Sequence, residues 1–202
     1  MTEPAAPRPD VGALAALARR TWVALVHHPV LNRQRQVVTT AVTNLDVHDI
    51  ARASRTYGLA GYVLVTPVER QRLLVERIRA HWMGEHGTGE NRNRAQAIAL
   101  IRVAPDLDAT VDRVRQEHGA DPVLVATAAR PAAGTVPVRR FVAERGADPR
   151  PVLLLFGTGW GLAEDAFARA EIRLDPIYGP TDYNHLAVRS AVSITLDRMF
   201  GL

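Results

Sequence analysis

The stretch Val152-Leu153-Leu154-Leu155-Phe156-Gly157-Thr158-Gly159-Trp160-Gly161-Leu162 decides the fold prediction for this chain. Its apolar first half, Val152–Phe156, indicates a buried strand. Three glycines within the next five residues let the backbone turn tightly and approach a ligand closely. Because ligands of α/β sheets settle outside the carboxyl ends of strands, the segment predicts a binding loop at such an end.

The glycine loop, Gly157–Gly161, does not fit the common phosphate-binding patterns. Its spacing lacks the lysine and the following hydroxyl residue of a P-loop, and it is not a GxGxxG motif near the first strand. A nucleoside held by backbone amides and carbonyls is therefore expected here. Two readings of Trp160 stay open, since its ring can cap the core or form the wall of an adenine or ribose pocket.

Working outward from this stretch, β-rich runs alternate with amphipathic segments, which predicts an α/β fold with a mostly parallel sheet flanked by helices. The candidate strands are Trp22–Val26, Gly61–Thr66, Ala99–Val103, Val123–Thr127, Val152–Phe156 and Glu171–Leu174. The candidate helices are Val47–Tyr57, Val68–His81, Leu107–His118, Val138–Arg145 and Tyr183–Met199. Residues 1–20 read as a tail with a possible short helix over Val11–Arg20, and residues 21–202 as one domain.

Composition removes several classes of function. The chain of 202 residues is 47% hydrophobic and 23% charged and has no cysteine, which excludes disulfides, thiolate metal sites and cysteine nucleophiles. No apolar run approaches the roughly 20 residues of a membrane span, and a cytoplasmic location is expected. His27-His28 and the pair His81 and His86 lack partners at metal-ligand spacing, so no metal is expected.

The charge of the chain is consistent with RNA but is weak evidence alone. All 25 basic residues are arginine and the net charge is +4, a balance that biased codon usage also produces. Arginine binds phosphate bidentately and stacks on bases, so clustered arginines would suit an RNA partner.

A second chemistry-bearing segment runs from Leu174 to His185 and is rich in proline and glycine. It predicts a loop, with Asp182 as the N-cap of the helix Tyr183–Met199. A buried amphipathic helix explains most of this pattern, yet Tyr183-Asn184-His185 places polar groups at the mouth of the loop.

Two further segments carry candidate RNA contacts. Thr43–Gly58 starts with capping residues and ends on glycine, as a short helix should, and Arg52 and Arg55 share one side of it. Gly84–Arg94, which contains Arg92 and Arg94, is the longest polar loop. It is read as a solvent loop or as a substrate-contacting lid.

Together these segments make the chain resemble the SPOUT superfamily of trefoil-knotted RNA methyltransferases, which use S-adenosyl-L-methionine (SAM). The resemblance spans about Trp22 to the end, and it is closest to a small bacterial family sometimes fused to tRNA guanine-N1 methyltransferase. It is carried by Thr43-Asn44-Leu45-Asp46 with His48-Asp49-Ile50-Ala51-Arg52, by Leu155-Phe156-Gly157-Thr158-Gly159-Trp160-Gly161-Leu162, and by Tyr183-Asn184-His185-Leu186 with Val188-Arg189-Ser190-Ala191.

The resemblance implies a C-terminal deep trefoil knot, a homodimer, and SAM bound by the loops after three strands. The cofactor residues it implies are Thr127, Ala128, Phe156, Gly157, Thr158, Gly159, Trp160, Gly161, Leu174, Pro176, Ile177, Tyr183, Asn184 and Leu186. Arg52 and Asn184 fall at catalytic positions, and Arg52, Arg55, Arg92 and Arg94 are the RNA-binding candidates. The sequence departs from the wider superfamily in lacking a glutamate in the glycine loop and in having Leu186 where a serine is usual.

Ribose 2′-O-methylation of tRNA or rRNA is the leading functional prediction, motivated by Arg52 and the two C-terminal motifs. Guanidinium is too basic to remove a proton, so Arg52 is expected to hold a phosphate or the developing alkoxide. One alternative is methylation of a base nitrogen, with Asp182 or Asp165 as the base. The other is a non-catalytic knotted RNA-binding protein, suggested by the missing glutamate and serine.

Overall fold

The computed structural model describes residues 10–84, 91–130, 133–146 and 148–202. Within these ranges the strands are β1 (Thr21–Val26), β2 (Val30–Leu31), β3 (Val37–Val38), β4 (Gly61–Val65), β5 (Ile101–Ala104), β6 (Val123–Ala126), β7 (Val152–Gly157) and β8 (Ile172–Arg173). The helices are α1 (Val11–Ala18), α2 (Asn44–Thr56), α3 (Glu69–Met83), α4 (Arg92–Ile98), α5 (Leu107–His118), α6 (Val138–Arg145), α7 (Glu164–Ala168) and α8 (Val188–Phe200).

Six strands form one parallel sheet in the order β5-β4-β1-β7-β6-β8. Every residue of β1, β4 and β6 is buried, as is β7 up to its last residue. Strands covered on both faces read as continuous apolar runs, which is why the sequence shows no alternation here. The predicted α/β fold with a mostly parallel sheet is confirmed, whereas the deep trefoil knot stays a prediction.

The helices cover the two faces of the sheet as separate layers. One apolar cluster joins the sheet to α1, α2, α3, α4, α6 and α8, with Ile50, Phe141 and Leu196 among its fully buried members. The other joins the opposite face to α5, α7 and the β2–β3 hairpin through residues such as Val30 and Val114. Helix α2 starts on a side-chain cap, since the Thr43 hydroxyl accepts a hydrogen bond from the Asp46 backbone amide at 3.2 Å.

The central strands place the glycine loop at the edge of the sheet that is formed by the carboxyl ends of the strands. β1 lies between β4 and β7, and its last residue Val26 pairs with Gly157. From β1 the chain first adds β4 and β5 on one side, and the later strands lie on the other. Such a reversal opens a crevice beyond the carboxyl ends of the strands, where α/β proteins bind ligands.

The last helix begins later than the sequence predicts. It starts at Val188 rather than Tyr183, and Ala187 occupies the N-cap position without a side-chain hydrogen bond. The prediction that Asp182 caps this helix is therefore wrong. The Asn184 side-chain amide instead donates to the carbonyl of Ala129, which ties the preceding segment to the loop after β6.

The polar segment Gly84–Arg94 is only partly loop. Residues 85–90 lie outside the described residues, and with them the lid hypothesis. Arg92 and Arg94 belong to α4, which buries Ala95 and Ile98 against the core. Ala99 and Leu100 follow α4 as a turn, so the next strand begins at Ile101 rather than at Ala99.

Candidate functional site

A cavity of about 1330 Å³ lies at the carboxyl ends of the central strands. Its walls come from the loop after β6, the glycine loop after β7, and the segment from the end of β8 into α8. A fourth wall comes from the hairpin region and the start of α2. The principal lining residues are Leu31, Arg35, Thr40, Thr43, Asp46, Thr127, Ala128, Arg130, Phe156–Leu162, Leu174, Asp175, Ile177, Asp182, Asn184–Arg189 and Ala191.

The glycine loop is held so tightly that side chains do not fit at two of its positions. A Cβ atom on Gly157 would lie 2.5 Å from the backbone nitrogen of Leu162. Gly159 has a φ of 60°, and a Cβ there would lie 2.9 Å from the carbonyl oxygen of Leu31. Backbone hydrogen bonds of 2.9 Å link Trp160 and Gly161 to Leu31 and fix the loop against the hairpin. These contacts explain why glycine stands at both positions.

A chain of polar side chains, His27, Thr40 and Thr158, supports the glycine loop. The Nδ1 atom of His27 lies 3.0 Å from the Thr40 hydroxyl, and that hydroxyl in turn contacts the Thr158 hydroxyl. Thr158 also donates to the carbonyl of Val26 at 3.1 Å. His27 is fully buried, and burial lowers its pKa to about 4 against the weaker opposing effect of Asp46. The neutral imidazole is therefore the form that the folded protein accommodates.

This depressed pKa predicts a loss of stability in mild acid. Well above pH 6.5, the ordinary pKa of an exposed histidine, neither state binds the proton and this group does not change the stability. Between pH 6.5 and about pH 4 only the unfolded chain takes up the proton, so the free energy of unfolding falls as pH falls, by about 3 kcal/mol in total. Urea unfolding at half-unit pH steps measures this slope.

The matched variants are His27→Gln and His28→Gln. We expect His27→Gln to be less stable at pH 7 and to have a shallower acid slope, because the titrating group is gone. His28→Gln should keep the slope of the wild-type chain. An unchanged slope in His27→Gln would show that other groups control the acid response.

A charged cluster joins α2 to the first turn of α8 at the cavity wall. Arg189 lies 3.6 Å from a carboxylate oxygen of Asp46 and 3.6 Å from one of Asp49. Asp46 is only 5% exposed, and its other oxygen accepts a 2.6 Å hydrogen bond from Thr43. Arg189 is thus held in place by two carboxylates while its guanidinium remains at the cavity surface.

Most residues predicted to bind a cofactor surround this cavity. Thr127, Ala128, Phe156, Gly157, Thr158, Gly159, Trp160, Gly161, Leu174, Ile177, Asn184 and Leu186 all line it. Pro176 is buried and Tyr183 is exposed, and neither belongs to the lining. Asp182, one candidate base, lines the cavity, whereas Asp165 does not.

The four arginines predicted to bind RNA lie outside the cavity lining. All four are exposed, Arg52 and Arg55 on α2 and Arg92 and Arg94 on α4. Arg55 donates to Gln96 of α4 at 3.3 Å, and the Arg94 guanidinium lies 4.6 Å from the centre of the Trp82 ring. Arg52 lies on the same helix as the cavity residue Asp46. Six residues separate the two, and an α-helix rises about 1.5 Å per residue, so Arg52 is about 9 Å further along the helix axis.

Sequence reasoning missed the wall formed by the hairpin region, including Leu31, Arg35 and Thr40. Strands of two residues leave no periodic pattern that could reveal them. It also missed Arg189, although the residue stands in a motif that the sequence analysis quoted. The short helix α7 was missed as well.

The cavity, of about 1330 Å³, is large enough for a nucleoside-containing cofactor. Its volume exceeds the roughly 300 to 1,000 Å³ typical of small-ligand pockets, which leaves room for a second reactant. The whole glycine loop lines the cavity, as do Phe156 and Leu162 on either side of it. Among the described residues, no three His, Asp or Glu side chains are grouped to hold a metal ion. No helix within the same residues has the length and apolar character to cross a membrane.

Two related proteins match nearly the whole chain. A tRNA (guanine-N(1)-)-methyltransferase of Oleidesulfovibrio alaskensis is 42% identical over 185 residues, which are 91% of this chain and 42% of that protein. An uncharacterized protein of Aquifex aeolicus is 37% identical and matches 89% of this chain and 88% of its own length. The chain thus spans less than half the length of the first relative and most of the second.

Solved structures with low sequence identity share the fold. The SpoU methyltransferase AviRb from Streptomyces viridochromogenes, in complex with AdoMet, is 16% identical with a TM-score of 0.55, covering 96% of this chain and 62% of its own. The family described as SAM-dependent RNA methyltransferase matches residues 20–201. With that match, the chain belongs to the family of SAM-dependent RNA methyltransferases.

Proposed function

We propose that the chain transfers the methyl group of SAM to a ribose 2′-hydroxyl of tRNA at the cavity beside the glycine loop. The observation that carries the proposal is the convergence of three strand-end loops, Thr127–Arg130, Phe156–Leu162 and Leu174–Ala191, on one cavity. This cavity has room for two reactants. Holding them in line is itself a large part of the catalysis of a displacement reaction.

The cofactor is proposed to sit against the main chain of the glycine loop. SAM supplies a methyl group that is activated by its sulfonium centre. Gly157 and Gly159 let the loop pack closely against Leu162 and Leu31 while it lines the cavity. Beside it, the Thr127 hydroxyl donates to the Leu155 carbonyl at 2.9 Å. Leu174, Ile177 and Leu186 add apolar surface that excludes water from the reacting atoms. AviRb, which shares the fold, was solved in complex with AdoMet, and this supports SAM as the ligand proposed for this chain.

Arginine side chains are proposed to position the RNA. A ribose 2′-hydroxyl lies beside a phosphodiester, so cations at the cavity would hold the acceptor through its phosphate. Arg35, Arg130 and Arg189 line the cavity and can act there. Arg52 lies about 9 Å further along α2 than the cavity residue Asp46. Its proposed role is therefore contact with the flanking RNA backbone rather than with the reacting atoms. Asn184, whose amide holds the carbonyl of Ala129, is proposed to position the loops around the cofactor.

A second candidate is methylation of guanine N1 in tRNA. It is favoured by the relative named tRNA (guanine-N(1)-)-methyltransferase and by Asp182, an exposed carboxylate at the cavity that could take the base proton. The relative is more than twice as long as the matched region, so its remaining length is sufficient for a separate methyltransferase domain. This is why the ribose acceptor stays the first proposal.

We further propose a homodimer that acts in the cytoplasm. The resemblance to SPOUT proteins suggests the dimer, and the exposed apolar side chain of Leu45, beside the cavity residue Asp46, is consistent with a covered surface. Light scattering of the purified chain measures the oligomeric state.

The acceptor is tested by mass spectrometry of nucleosides from unmodified tRNA transcripts incubated with the purified chain and deuterium-labelled SAM. We expect labelled 2′-O-methylnucleosides. Labelled 1-methylguanosine alone would refute the ribose acceptor in favour of guanine N1. No labelled nucleoside, despite calorimetric binding of SAM, would refute both acceptors.

Matched arginine variants test how the RNA is positioned in the same assay. Arg52→Ala should lower the rate at limiting tRNA by about 10- to 100-fold, the equivalent of one charge-assisted contact. Arg33→Ala removes an exposed arginine at the hairpin turn and should change it less than about twofold.

A further inference from the structure

Three aromatic side chains form a contiguous exposed group at the mouth of the cavity. We call Trp160, Tyr183 and His185 the aromatic rim. The rings of Trp160 and His185 have centroids 6.1 Å apart, and those of His185 and Tyr183 are 5.6 Å apart. Trp160 is 43% exposed and Tyr183 is 71% exposed. Rings that are this exposed to solvent do not fill the core, so core packing does not explain why aromatic residues stand at these positions.

The rim is built from separate loops and has a cation beside it. Trp160 comes from the glycine loop, whereas Tyr183 and His185 come from the segment before α8. Arg130, from the loop after β6, places its guanidinium carbon 5.8 Å from the centroid of the Trp160 ring. Two further arginines, Arg35 and Arg189, line the same cavity. Proteins that bind single-stranded nucleic acid combine aromatic stacking surfaces with neighbouring cations in this way.

We propose that the aromatic rim binds an unpaired nucleobase of the RNA substrate by stacking, with Arg130 directed to an adjacent phosphate. This inference rests on the proposed function and specifies its substrate class. Trp160 and His185 line the cavity and Tyr183 lies outside it, so the rim leads from the cavity toward solvent. A base stacked there belongs to the methylated nucleotide or its neighbour.

The chemistry selects single-stranded segments over duplex RNA. Bases inside a duplex already stack on one another, and their faces are closed to protein rings. Loops, bulges and ends expose unpaired bases that a rim of this kind can hold. The substrate is therefore an unpaired region of a folded RNA, and a paired stem alone does not engage the rim.

Tryptophan fluorescence tests the rim without methyl transfer. In a Trp82→Phe background the remaining tryptophans are Trp160 and the fully buried Trp22. Without SAM, a 12-nucleotide oligoadenylate should quench the fluorescence, and a 12-base-pair RNA duplex should not. Trp160→Ala should weaken oligoadenylate binding, followed by anisotropy of a labelled oligomer, roughly 5- to 100-fold. Trp160→Phe should retain most of the affinity.

The matched control is Tyr178→Ala, which removes an exposed aromatic ring outside the rim, from the segment before α8 that also carries Tyr183 and His185. We expect its dissociation constant to stay within about twofold of the wild-type value. Wild-type affinity in Trp160→Ala would overturn the proposal. Quenching of Trp160 by SAM alone, equal to that by RNA, would also overturn it by placing the ring against the cofactor.

The two proposals can fail separately. Nucleoside analysis identifies the methyl acceptor, whereas the fluorescence titration requires no turnover. Trp160-dependent oligoadenylate binding without 2′-O-methylation refutes the acceptor and supports the rim. Normal 2′-O-methylation with RNA binding unaffected by Trp160→Ala refutes the rim and leaves the acceptor standing.

Discussion

Replacing Gly157 with alanine is expected to reduce the affinity for SAM by about 100-fold. The added Cβ would lie 2.5 Å from the Leu162 nitrogen, 2.8 Å from the Gly161 carbonyl carbon and 3.1 Å from the Leu162 Cα. All three are backbone atoms, so no side-chain rotation can relieve the contact. The loop must move away from β7, and the proposed backbone contacts to the cofactor move with it. Isothermal titration calorimetry with SAM measures the loss.

The control for this variant is Gly179→Ala in the loop before α8. No heavy atom lies within 4 Å of a Cβ at Gly179, and its φ is not positive. We expect SAM affinity within about twofold of the wild-type value. Thermal unfolding of both variants separates a local shift of the loop from general loss of the fold. Normal SAM affinity in a folded Gly157→Ala protein would remove the glycine loop from the cofactor site.

Much of the site could be predicted from the sequence because its residues lie in segments with strong local signals. The apolar run Val152–Phe156 and the glycines after it indicate a strand and a loop without further information. Parallel strands align their carboxyl ends, so loops distant in the chain were expected to meet at one edge of the sheet. The cavity does bring Thr127, Gly157 and Leu174 together.

The remainder depended on contacts that leave no local pattern. Thr40 reaches the cavity through a hairpin of two-residue strands, and its role appears only in its contacts to His27 and Thr158. The start of α8 at Val188 was missed because residues 183–187 have no helix breaker. There the Asn184 side chain bonds the Ala129 carbonyl, and this tertiary contact accompanies a non-helical backbone. Tertiary bonds of this kind override local propensity.

A large loss of stability is also expected from a substitution at Gly61, the first residue of β4. Gly61 pairs with Trp22 across the parallel strands. A Cβ on Gly61 would lie 2.1 to 2.6 Å from three atoms of the Trp22 ring. That ring is fully buried, and its Nε1 donates a 2.9 Å hydrogen bond to His118, so it has little freedom to move. Gly61→Ala should lower the free energy of unfolding in urea by about 3 kcal/mol.

Two further variants show whether the ring is the cause. Gly146→Ala, at the end of α6, adds a Cβ whose nearest neighbours are 3.8 Å away, and it should leave stability within about 1 kcal/mol. Trp22→Leu removes the ring and is itself destabilising, because it leaves a cavity and frees His118. If steric conflict with the ring is the cause, the cost of Gly61→Ala should shrink by more than about 1 kcal/mol in the Trp22→Leu background. Additive costs in the double variant would instead indicate that Gly61 is required by the backbone of β4, independently of the tryptophan ring that covers it.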